Sequence, residues 1–89
     1  MDVEDEVKQV QFIVKAASAL LQGKPPQVQG AALADLLAMW LAGHLILGDP
    51  KKTKRLREGM IAEHMKTVRD LIEINYRDRI EPELRRRSN

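Results

Sequence analysis

Residues 26–47 read PQVQGAALADLLAMWLAGHLIL, a helix-length run whose only ionisable residues are Asp35 and His44. A helix that is apolar on nearly every side must be covered on nearly every side. In a chain of 89 residues, that demand constrains the fold more than any other feature. Such a chain buries only about 60–65% of the surface its unfolded form exposes, so a second chain is a common remedy for a thin core.

The segments on either side supply amphipathic helices. Val3, Val7, Val10, Val14, Ala17 and Leu21 recur in alternating steps of four and three, which places them on one seam of a helix. Ile13, Ala16 and Leu20 widen it. Asp2 is the expected cap, and Glu4, Asp5 and Glu6 suit the positive end of the helix dipole. A competing strand at Val10–Val14 has only five alternating residues in its favour. Gly23 is the expected helix stop, Lys24-Pro25-Pro26 a stiff turn, and proline opens the next helix. Asp49-Pro50 starts a third helix with aspartate as its cap. That helix presents Ile61, Met65, Val68 and Ile72 on one face, with Leu71 beside them.

The chain therefore reads as all-α, a three-helix antiparallel chain over about 3–22, 26–47 and 50–75 or 80, because short connections pack consecutive helices antiparallel. Residues 1–80 form one helical domain. Pro82 disfavours a helical Glu81, which leaves residues 81–89 as a flexible or short-helical basic tail.

At 100° per residue the central helix has two unlike sides. Leu33, Leu36, Leu37, Trp40, Leu41 and Leu45 form a large-residue side suited to cover by the first and third helices. Gly30, Ala34, Ala38 and Ala42 follow one another at four-residue steps, with Ala31 close by and Met39 and Ile46 continuing that side. Small residues at this spacing admit a close backbone, although alanine is also simply the best helix former. The expectation is a homodimer in which two copies of the central helix meet about a twofold axis through Gly30, Ala31, Ala34, Ala38, Met39, Ala42 and Ile46. Another protein could take the same role.

Chemistry is sparsely signalled. With no cysteine in the chain, thiol catalysis, thiolate metal sites and disulfides are excluded. Asp35 reads as a polar-strip residue paired with a cation or capping a neighbour, the alternative being a buried acid with a raised pKa. His44 and His64 are the candidate metal ligands, and with Trp40 they could line a ligand pocket. The sequence contains no HxxxH, ExxH or HxH spacing to support a metal. There is no glycine-rich phosphate loop, and no serine or threonine has a histidine at informative spacing. The expectation is a non-enzymatic oligomerisation or protein-interaction module without a cofactor.

Charge is uneven. Residues 1–50 hold three lysines against six acids, whereas residues 51–89 hold twelve Lys and Arg against seven acids. Lys51, Lys52, Lys54, Arg55 and Arg57 are candidate anion-binding residues, and they sit where the dipole of the third helix opposes positive charge. Phosphate, anionic lipid or an acidic segment such as Asp2–Glu6 of another chain would compensate. Arg77, Arg79 and Arg85–Arg87 form a second basic cluster. A small nucleic-acid-associated regulator using Lys51–Arg57 is thus the alternative function. It is not favoured, because aromatic residues are 3% of the chain and Glu63, Asp70 and Glu73 interrupt the basic surface. A membrane span is disfavoured by Asp35 within the apolar run and by the amphipathic helices that flank it. The acidic start MDVEDEVK lacks the basic-then-apolar pattern of a secretory signal, so the expected location is cytoplasmic.

Overall fold

The computed structural model describes residues 2–88, and among them the chain is helical without a strand. Helix α1 spans Val3–Leu21, α2 Pro26–Ala42 and α3 Pro50–Asn75. A π-helical turn, Tyr76–Ile80, then leads into α4, Glu81–Ser88. The fold divides within α2 into two compact units, Met1–Leu37 and Ala38–Asn89.

In the first unit, Asp2 caps α1 by accepting from the Asp5 N–H at 2.9 Å. The helix ends at Leu21, and Gly23 takes φ +79°, a left-handed conformation that glycine adopts without steric cost. The Gln29 side chain donates to the Leu21 carbonyl at 2.9 Å and so ties the start of α2 to the end of α1. The Pro25 carbonyl accepts from Val28 and Gln29 to open α2.

In the second unit, the sequence places the end of α2 at Leu47 or Gly48, whereas the helix stops at Ala42. Residues 43–49 form a loop held from α3. The Thr53 hydroxyl accepts from the Ile46 N–H at 2.9 Å and donates to the Ile46 carbonyl at 3.1 Å. Gly48 takes φ +76°, and Asp49 caps α3 by accepting from Lys52 N–H at 3.0 Å. The two Thr53 bonds pair the Ile46 N–H and carbonyl, which a continued helix would pair within itself.

Pro82 is the second departure from expectation, since Glu81 is helical at φ −58°, ψ −45°. In a regular helix the Pro82 ring would press on the carbonyl four residues back. The chain avoids this by widening one turn, with Glu81 N–H donating to the Tyr76 carbonyl. Proline then occupies the first turn of α4, where it is well tolerated.

Among the described residues no hydrophobic side chain is buried, and Thr53 is the one buried residue. Leu33, Leu36, Trp40 and Leu45 on the large-residue side of the central segment are exposed. The α1 seam is equally open, with Val3 74% and Val10 58% exposed. No helix is long and apolar enough to cross a membrane among the described residues.

Candidate functional site

The second unit brings the three aromatic or imidazole side chains of the central region together. The Trp40 and His44 rings meet edge to face with centroids 5.3 Å apart, and the Trp40 and His64 rings lie 5.6 Å apart at a tilt of 46°. His44 Nδ1 is 2.7 Å from the Trp40 carbonyl oxygen. In the regular helix expected from sequence, His44 would point from the leucine side of α2. Because α2 ends at Ala42, it lies in the loop and folds back onto the last turn.

Beside Trp40 lies an open groove of about 610 Å³ lined by Arg55, Leu56, Gly59, Met60, Glu63, His64 and Thr67 of α3. Its lining is mainly apolar, and Arg55, Glu63, His64 and Thr67 carry its polar side-chain groups. Gly59 leaves room in the wall, since a Cβ there would meet nothing within 4 Å. His44 and His64 thus share Trp40 as a neighbour. No group of three or more His, Asp or Glu side chains is placed to hold a metal ion among the described residues. Asp35 is exposed and makes no ion pair among these residues; the structure therefore places it neither in a buried acid site nor in the expected pair.

The basic run at the start of α3 divides by role. Arg57 is turned back onto the C-terminus of α2, donating from Nε to the carbonyls of Leu41 at 3.1 Å and His44 at 3.0 Å, and from Nη2 to that of Ala42 at 2.9 Å. A helix ends with unpaired carbonyls and partial negative charge, so a planar cation is well matched to it. Arg57 is a helix cap in this chain, a role that sequence spacing did not signal. Lys52 lies 4.0 Å from the Asp49 carboxylate. Lys51, Lys54 and Arg55 have no acidic partner among the described residues, which leaves three of the five cations free.

The C-terminal basic cluster is largely neutralised in place. Arg77 donates to Asp78 at 3.0 Å, and this bond holds the Asp78 carboxyl below its ordinary range. Arg85 pairs with Glu81, while Arg86 and Arg87 both pair with Glu83.

The residues expected at an oligomer interface are all open to solvent. Gly30, Ala31, Ala34 and Ala38 are exposed along α2, Met39 is 65% exposed, and Ala42 closes the helix. Ile46 is exposed too, but it belongs to the loop held by Thr53 rather than to the helical row. Comparison of the chain with protein families, with curated proteins and with solved structures finds no match.

Proposed function

We propose that this chain is a non-enzymatic homo-oligomerisation and protein-interaction module whose hydrophobic core forms only when a second copy is added. The observation that carries the reading is the absence of any buried hydrophobic side chain among the described residues. Ordering one residue of backbone costs about 1–2 kcal/mol, and in proteins most helical stability comes from tertiary packing of an amphipathic face. Burying one large aliphatic side chain returns about 1.5–3 kcal/mol. The open leucines of α2 and the open seam of α1 offer that return to a partner. In the dimer, Gly30, Ala34 and Ala38 of two copies face each other, where the small side chains let the α2 helices approach closely.

Ala38→Glu tests the reading. It places an extended charge in the closest part of the proposed contact and should convert the dimer into a poorly helical monomer. An unchanged oligomer would remove the small-residue row from the interface. Binding of nucleic acid through Lys51, Lys54 and Arg55 is the weaker reading, since Arg57 is committed to α2 and Lys52 to Asp49.

A further inference from the structure

The end of α2 is made by side chains that engage the same backbone groups a longer helix would use. Continuing α2 through Leu47 requires the N–H groups of His44, Leu45 and Ile46 to reach the carbonyls of Trp40, Leu41 and Ala42. All three carbonyls are already engaged. His44 Nδ1 lies 2.7 Å from the Trp40 oxygen, Arg57 Nε donates to Leu41 at 3.1 Å, and Arg57 Nη2 donates to Ala42 at 2.9 Å. On the donor side, the Thr53 hydroxyl holds the Ile46 N–H at 2.9 Å, and the His44 N–H turns to Leu41, three residues back instead of four. The N–H groups of Leu45 and Leu47 make no hydrogen bond among the described residues.

The local sequence favours the opposite outcome. His44-Leu45-Ile46-Leu47 contains no helix breaker, and the glycine with positive φ comes only at Gly48. Gly43 is the one poor helix former of the run, and its N–H still bonds helically to Met39 at 3.1 Å. We infer that residues 44–47 are a two-state element, a loop while His44, Arg57 and Thr53 hold these groups and a continuation of α2 when they let go. Each backbone group released has a helical partner within reach, so the change leaves no polar group unpaired. Release lengthens α2 by about one turn and frees the start of α3 from its end. Every group involved lies within the second compact unit, Ala38–Asn89, so the element works in a single chain.

With Thr53 alone removed, Arg57 still occupies the carbonyl that Ile46 would need, so both ties are removed together. Thr53→Val with Arg57→Met does this while keeping the shape of one side chain and the apolar stem of the other. In that variant the Cα chemical shifts of residues 44–47 should move to helical values, and hydrogen exchange at Leu45 and Leu47 should slow. Adding His44→Ala should complete the change by clearing the Trp40 carbonyl. The milder pair Thr53→Val with Arg57→Lys keeps a cation at the end of α2 and serves where the first variant does not fold. It should slow exchange at the same two groups by a smaller factor. Loop shifts and fast exchange at residues 44–47, in a variant whose α2 and α3 remain helical, would overturn the two-state element. Unchanged exchange in the milder pair would do the same.

Discussion

The hydroxyl of Thr53 makes two bonds to a single residue, accepting from the Ile46 N–H and donating to the Ile46 carbonyl. Thr53 is also the one buried residue among those described. The loop after α2 is thereby fixed to the first turn of α3, and with it the position of His44 against Trp40. Thr53→Val keeps the shape and removes both bonds, leaving the Ile46 N–H without a partner. We expect a loss of about 1–3 kcal/mol, with Thr53→Ser recovering most of it. Urea unfolding at one fixed protein concentration measures the difference, since the stability of an associating protein depends on concentration.

Arg57 makes the second tie. Removing a charged donor from three carbonyls at a helix end should cost about 1.5–3 kcal/mol in Arg57→Ala. Arg57→Lys keeps the charge but cannot fork across the three oxygens, so it should recover only part of the loss. Hydrogen exchange checks the location of the effect: faster exchange at Gly43 and His44, whose N–H groups bond to Met39 and Leu41, with little change in α1.

Gly59 is costly to α3 and unconstrained by its own chain. A mid-helix glycine is less stable than alanine by about 0.8–1.0 kcal/mol, and the added Cβ would meet no atom within 4 Å. Gly59→Ala should therefore raise stability by nearly that amount and leave association unchanged. A fall in association instead would show that the groove beside Trp40 is occupied in the assembly.

Pro82 accounts for the widened turn at Tyr76–Ile80. Pro82→Ala removes the ring and supplies an N–H, so the turn should relax to a regular α-helix continuous from Pro50 to Ser88. Amide NMR reads this directly: the Glu81 N–H, which bonds to Tyr76 O, should move to the carbonyl of Arg77.

The helices were legible from sequence where local signals decide them. Asp2, Gly23 and the valine seam define α1 because cap, stop and periodicity lie within the element itself. The end of α2 was not legible, because His44–Leu47 continues the apolar run without interruption. It is decided by Thr53 and Arg57, which belong to another helix. The meeting of His44 and His64 at Trp40 follows from that early stop, and so was hidden with it. Arg57 illustrates the same limit: among five cations of like sequence, only the fold distinguishes the one that caps a helix. At Pro82 the rule against a preceding helical residue met a remedy, a single π turn, that composition does not announce.

Sedimentation equilibrium of the full chain across low micromolar concentrations, with helix content recorded on the same samples, tests the central claim most directly. The account predicts a mass of twice the 10.1 kDa chain, with dissociation and loss of helix occurring together on dilution. A stable, fully helical species of 10.1 kDa would contradict it.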